Sequence, residues 1–246
     1  MKEGRLFTPP EAPVAECVRM HAALGIERGV LVHSAVYGTD LRCSYDALVE
    51  MQGRWRGVAL IGGETSANEL ARLHEAGFRG VRINFVDGGA TPPLLEAAAE
   101  RLKPFGWHVQ LLVKLDRIAE LAPLIDRLPV ECVLDHMGYT RAGQGVAHPG
   151  LAAMLALLAR ARCWVKLSGA DRIGDSAKQY ADARPVMQAL VDANCDRLIW
   201  GTDWPHVHKR VVPNDGDLLN LFAEWVPDAG VRRKILVENP ARLYGF

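Results

Sequence analysis

Leu198-Ile199-Trp200-Gly201-Thr202-Asp203-Trp204-Pro205-His206 is an apolar run that breaks into a Gly-Thr turn and then into charged and aromatic residues. Leu198 to Trp200 reads as a buried strand. Asp203 therefore stands just past the carboxyl end of that strand, where parallel barrels and open α/β sheets bind their ligands. A turn Asp that caps the next helix is the competing reading. No helical pattern begins until about Asp215, so Asp203 is read as the chemical centre.

Working outward, the same strand-then-helix alternation fills the chain. Short apolar runs at 29–33, 57–61, 80–85, 107–113, 131–135, 163–167 and 197–200 read as strands. Helical spacing follows them at 44–52, 66–75, 92–103, 116–127, 149–161, 183–192, 217–225 and 231–238. Seven strands alternating with helices predict an α/β chain with a parallel sheet, of the TIM-like (β/α) barrel type. A closed barrel needs eight strands. The chain instead opens on helical spacing at Val14, Cys17, Val18, His21 and Leu24. The first strand is thus missing, reduced to a stub at Arg5-Leu6-Phe7, or the sheet is open. No repeat, linker or composition break interrupts the pattern, so residues 1–246 read as a single domain.

Composition narrows the class. Lys and Arg number 29, matching 29 Asp and Glu, which gives no electrostatic footprint for nucleic acid or an anionic membrane. The longest helical apolar stretch, residues 150–159, is too short to span a bilayer. Five widely spaced cysteines without a Cys-x-x-Cys suit a reducing, cytoplasmic compartment. Dinucleotide, P-loop and Gly-x-Ser-x-Gly fingerprints are absent from the sequence.

Candidate site groups sit at strand exits. His136 follows Val133-Leu134-Asp135 in the same way that Asp203 follows its strand. The two can share a metal ion or flank a water molecule; the competing reading is a histidine satisfied by backbone hydrogen bonds. Asp135 reads more simply as a holder of backbone amides or of a neighbour. Arg82 and Lys166 interrupt apolar strands, and each is either an internal ion pair or a clamp for a substrate carboxylate. Asn84, two residues beyond Arg82, and Arg172, in the loop after the Lys166 strand, are also candidate substrate-binding groups. So are Ser34, Tyr37 and Thr39, near His33 at the end of the 29–33 strand. His206 and His208 are candidates for an acid, lid or loop role; His21, His74, His108 and His148 are given no chemistry.

Val133-Leu134-Asp135-His136-Met137-Gly138, Gly80-Val81-Arg82-Ile83-Asn84-Phe85 and the 199–206 stretch together resemble the amidohydrolase superfamily. They are most similar to its 2-pyrone-4,6-dicarboxylate lactonase-like branch. The closing Glu238-Asn239-Pro240-Ala241-Arg242-Leu243-Tyr244 is similar to that family's Asn-Pro-x-Arg-Leu-Tyr ending. The resemblance runs over nearly the whole chain. It implies a distorted barrel of the metal-dependent-hydrolase type. In it Asp203 is the base that activates water, His136 binds metal or polarises a carbonyl, and Arg82 and Arg172 hold substrate carboxylate. One zinc or manganese ion on His136 and Asp203 and a metal-independent site both stay open. Two departures stand out. The family's opening His-x-His strand has no counterpart near this N-terminus, and Gly88 and Tyr139 occupy positions where dicarboxylate-binding relatives carry further arginines.

The expected function is hydrolysis of a carboxylated lactone, or a related cyclic ester or amide, in aromatic-acid catabolism. A metal-dependent decarboxylase and a non-catalytic small-molecule-binding relative are the alternatives. A true start upstream of Met1, or an enzyme that works without the two histidines, would each account for the missing strand. A barrel short of one strand exposes sheet edges, which predicts a homo-oligomer or a destabilised monomer.

Overall fold

Seven strands form one parallel sheet in which each spatial neighbour is also the neighbour in sequence. They are β1 Gly29–Val32, β2 Trp55–Ala59, β3 Phe78–Asn84, β4 His108–Leu112, β5 Cys132–Leu134, β6 Trp164–Lys166 and β7 Leu198–Ile199. This is a computed structural model, and it describes the chain except for residues 2, 6, 87–88, 141–146, 208 and 210. Arg5 and Phe7 lie in irregular chain, and Leu6, the centre of the expected stub, is outside the described residues.

The sheet is curled. Val58 of β2, Val133 of β5, Trp164 of β6 and Ile199 of β7 share one buried cluster, with Val30 and Val32 of β1 packed against it. A flat sheet could not bring its second and seventh strands to a common interior. Among the described residues β1 and β7 share no ladder, so the barrel is open between them. Register and the two-residue side-chain period then fix what faces inward. Gly80 pairs with His108, Arg82 with Gln110, Gln110 with Val133 and Lys166 with Ile199. Arg82, Gln110 and Lys166 therefore project into the same lumen.

The opposite faces of the strands pack under the helices. These are α1 Val14–Leu24, α2 Arg42–Glu50, α3 Ala67–Glu75, α4 Pro92–Leu102, α5 Leu115–Arg127 and α6 Pro149–Ala159. They continue with α7 Ala170–Ile173, α8 Arg184–Asn194, α9 Asp215–Trp225, α10 Ala229–Arg233 and α11 Asn239–Tyr244. Helix α5 shows why: Leu115, Ile118, Leu121, Leu124 and Ile125 recur at helical spacing and all are buried. Each such side chain contributes about 1.5–3 kcal/mol by leaving water. Helix α6 comes so close that a Cβ on Gly150 would sit 1.9 Å from the Leu115 carbonyl oxygen, which only glycine allows. Side-chain caps fix several helix starts: Ser66 accepts from Glu69 N, and Asn214 from Gly216 N and Asp217 N.

The chain's last turn closes the amino-terminal end of the barrel. Asn239 donates to the carbonyls of Cys195 and Leu198 at 2.8 and 2.7 Å, tying α11 to the start of β7. Arg242 and Arg197 both stack on the Trp164 ring, each 4.8 Å from its centroid. Tyr244 is buried, edge-on to His108. This is the physical content of the Asn-Pro-x-Arg-Leu-Tyr ending.

Two of the departures from the expected helix bounds show their causes plainly. Helix α2 starts two residues early because Asp40 Oδ1 accepts from Arg42 N and turns the chain there. The expected 231–238 helix is α10 followed by a π-helical turn, Lys234–Glu238, leading into α11. Pro240 does not break α11, because it lies in the first turn, where no intrahelical N–H bond is lost. No helix among the described residues is long and apolar enough to cross a membrane.

All four residues of β1 are only half-buried, whereas β5 is fully buried. We propose that the β1 edge pairs with a second copy, as unpaired strand edges tend to do. Light scattering is then expected to give a dimer; a monomer of high thermal stability contradicts this.

Candidate active site

Both expected centres stand where the backbone makes an unusual turn. His136 has φ of 49° and Asp203 φ of 69°, in the left-handed region that non-glycine residues seldom occupy. Such strain persists only where the surrounding structure enforces it, and it gathers at functional sites. Around His136 the enforcement is backbone: Asp135 N donates to Leu111 O, and Gly138 N donates back to Asp135 O, each at 3.0 Å. Around Asp203, Trp204 N donates to Thr202 Oγ1 and His206 N to Asp203 O, at 3.2 and 2.9 Å. The buried His206 ring then donates from Nε2 to Asp215 Oδ1 at 2.8 Å, so this histidine anchors the loop to the start of α9. His208 lies outside the described residues.

Beneath His136 a single carboxylate gathers three side chains from three other strands. Asp135 is fully buried. It accepts from Arg82 Nη2 at 2.8 Å, from Gln110 Nε2 at 2.9 and 3.0 Å, and from Lys166 Nζ at 2.7 Å. Burial alone would raise its carboxyl, but the Lys166 and Arg82 charges outweigh burial and hold it well below the usual carboxylate range. Of the two expectations for Asp135, backbone amides or a neighbour, the structure shows side-chain neighbours: Arg82, Gln110 and Lys166. Arg82 and Lys166 take the internal ion pair of their two readings. Arg82 keeps a donor to spare, since its Nε makes no hydrogen bond among the described residues.

The His136–Asp203 pair lies one layer up. His136 Nε2 faces Asp203 Oδ1 at 3.8 Å, and Arg172 Nε donates to Asp203 Oδ2 at 2.5 Å. The other ring nitrogen, His136 Nδ1, is 2.9 Å from Ser168 Oγ. Burial lowers the His136 pKa, so the ring is neutral at pH 7. For Asp203 burial works upward, but the Arg172 guanidinium, through its charge and the hydrogen bond it donates, opposes burial, and the carboxyl stays ionised. Tyr139 sets its ring edge-on to His136 at 5.2 Å, and burial pushes its phenol up to about 12, so it stays a hydroxyl donor.

The other candidates are spread along the barrel mouth. Asn84 Oδ1 accepts from Val86 N at 2.8 Å and so shapes the loop after β3. Ser34, Tyr37 and Thr39 lie on the loop after β1. That loop is tied down by buried His33, 2.8 Å from Ser44 Oγ and 3.1 Å from Gly38 O. Gly88 lies outside the described residues. Gln110 and Ser168 were not anticipated, although both fall on the inward-facing alternation of Arg82 and Lys166.

Two oxygen and nitrogen donors 3.8 Å apart can straddle a metal, but a catalytic zinc takes three protein ligands. Among the described residues no group of three His, Cys, Asp or Glu side chains can hold an ion. The second oxygen of Asp203 is moreover committed to Arg172. The described residues therefore do not make a metal site on their own.

The amidohydrolase family profile matches residues 1–246. A 4-sulfomuconolactone hydrolase from Hydrogenophaga intermedia is 36% identical over 250 residues, covering 99% of this chain and 82% of its own. A 2-pyrone-4,6-dicarboxylate hydrolase from Comamonas testosteroni is 35% identical over 254 residues, covering 98% and 83%. Among solved structures, a probable 2-pyrone-4,6-dicarboxylic acid hydrolase from Acinetobacter baumannii with citric acid bound superposes with a TM-score of 0.90. It is 27% identical, covering 100% of this chain and 94% of that one.

Asp135 carries a prediction of its own. Its folded pKa lies below the unfolded value of about 4. Its contribution is therefore fully present above pH 4 and is lost as pH falls toward the folded pKa. Asp135→Asn strands buried cations and is expected to cost about 3–5 kcal/mol at neutral pH. Urea titrations of the two proteins should converge as pH drops below about 4. A gap independent of pH contradicts the assignment.

Proposed function

The chain belongs to the amidohydrolase family, and from that premise we propose that it is a hydrolase that opens a carboxylated lactone, or a related cyclic ester or amide, by attack of water. The observation that carries the proposal is the facing of His136 and Asp203 at 3.8 Å, at the carboxyl ends of β5 and β7, with a cation held on Asp203. Likeness to two lactone hydrolases over nearly the whole chain supports the substrate class.

The chemistry follows from the protonation states. Ionised Asp203 takes a proton from a water molecule, whose oxygen attacks the lactone carbonyl carbon. Negative charge gathers on the carbonyl oxygen as the tetrahedral intermediate forms, and an N–H on neutral His136 Nε2 stabilises it. The intermediate collapses by breaking the acyl carbon–oxygen bond. The departing ring oxygen recovers the proton from Asp203, and the product is the ring-opened acid.

Arg172 spends only Nε on Asp203, so its terminal nitrogens can hold a substrate carboxylate beside the base. Arg82, paired with Asp135 through Nη2 but with a side chain still 17% exposed, is the second anchor. Lys166, Asn84, Ser34, Tyr37 and Thr39 complete the binding surface in this reading. We propose that the reaction needs no metal, because the described donors stop at two. A cytoplasmic location fits the free cysteines.

Asp203→Asn keeps the shape and removes the base. Turnover of a carboxylated lactone is expected to fall by about 10²–10⁴-fold while substrate binding is retained. Substantial residual turnover in the variant would remove Asp203 from the role.

A further inference from the structure

The turn after β6 touches both reacting residues. Leu167 N donates to Ile199 O at 2.7 Å, which pins the end of β6 to β7. The next residue, Ser168, is 2% exposed and reaches back to His136 at the exit of β5. Four residues later Arg172 reaches forward to Asp203 at the exit of β7. One short turn thus holds the His136–Asp203 pair from both sides. Gly169 between them has φ of 82°, and a Cβ there would stand 3.1 Å from His136 Cβ and 3.3 Å from Nδ1. Glycine at that position keeps space for the ring.

The neighbours also settle the tautomer. Nε2 faces the Asp203 carboxylate oxygen. A bare nitrogen lone pair there would repel that oxygen, whereas an N–H is attracted to it. With the proton on Nε2, Nδ1 becomes an acceptor and needs a buried donor. Ser168 Oγ, 2.9 Å away, has an O–H to give. A carboxylate or backbone carbonyl in its place would accept only. It would force the proton onto Nδ1, the arrangement that suits a metal-bound histidine.

We propose that Ser168 is a positioning residue that donates its hydroxyl to His136 Nδ1 and thereby presents Nε2–H to the carbonyl oxygen of the substrate. It does not touch the substrate. The inference deepens the lactone-hydrolase reading and rests on it for the substrate, but not for the tautomer.

Two measurements test it. Long-range ¹⁵N–¹H correlation spectra, with the His136 ring assigned from the missing signals of His136→Gln, show which ring nitrogen carries the proton. Nε2–H is expected in the wild type, with loss of that single tautomer in Ser168→Ala. Kinetics on a carboxylated lactone should show kcat lower by about 10–100-fold in Ser168→Ala with KM little changed, the range for losing the partner that orients a functional histidine. Ser168→Cys or Ser168→Thr, each keeping a donor, should recover part of kcat, and thermal melts identify any variant that fails to fold. A wild-type Nδ1–H tautomer overturns the proposal, as does a folded Ser168→Ala with unchanged tautomer and kcat. If the wild type opens no lactone, the functional reading fails, and the spectra still decide the role of Ser168.

Discussion

The Asp135 carboxylate is the constraint on which the rest of the barrel interior depends. Arg82 from β3 and Lys166 from β6 project into a lumen whose buried cluster is Val58, Val133, Trp164, Ile199 and Tyr244. Neither cation can be buried there without an anion. Asp135 supplies it, takes Gln110 of β4 as well, and so links four neighbouring strands through one group. A buried ion pair adds little net stability over apolar packing of the same shape. Its consequence here is geometric: strand ends tied at one point fix the residue that follows, His136.

That fixed point matters because general-base hydrolysis depends on position more than on strong groups. A neutral imidazole and a carboxylate held low by arginine are weak reagents in water. In the proposed reaction their facing positions at the barrel mouth would align a water and a carbonyl and meet the developing charge without reorganising. The left-handed backbone at His136 and Asp203 is the local cost of that alignment, and it is borne by the hydrogen-bonded loops on either side. The β6 turn then couples the two centres through Ser168 and Arg172.

Much of this was legible in sequence because it is local. Apolar runs ended by turn residues locate the strands, and a polar residue just past such a run is at the mouth by construction. Asp203 and His136 stand out as candidates that way, and Arg172 as a residue of the loop after such a run. What the sequence hides is pairing across space. Arg82 and Lys166 were ambiguous because their partner lies 53 positions from one of them. Asp135, beside a more conspicuous histidine, drew the blander reading. Gln110 and Ser168 carry no charge, and only register shows that they point inward. For His206 an acid, lid or loop role was open, and Asp215, nine residues on, claims its ring for the loop. The Asn239 ending was recognised by resemblance, but its work at the base of the barrel depends on Cys195, Leu198 and Trp164, which nothing nearby in sequence announces.

In the proposed reaction, water activated by Asp203 and answered by His136 opens a carboxylated lactone without a metal. The direct measurement is turnover of such a lactone in H₂¹⁸O before and after exhaustive chelation. One ¹⁸O in the newly formed carboxylate and a rate that chelation leaves unchanged are expected of that reaction. Turnover abolished by chelation and restored by zinc or manganese would contradict it.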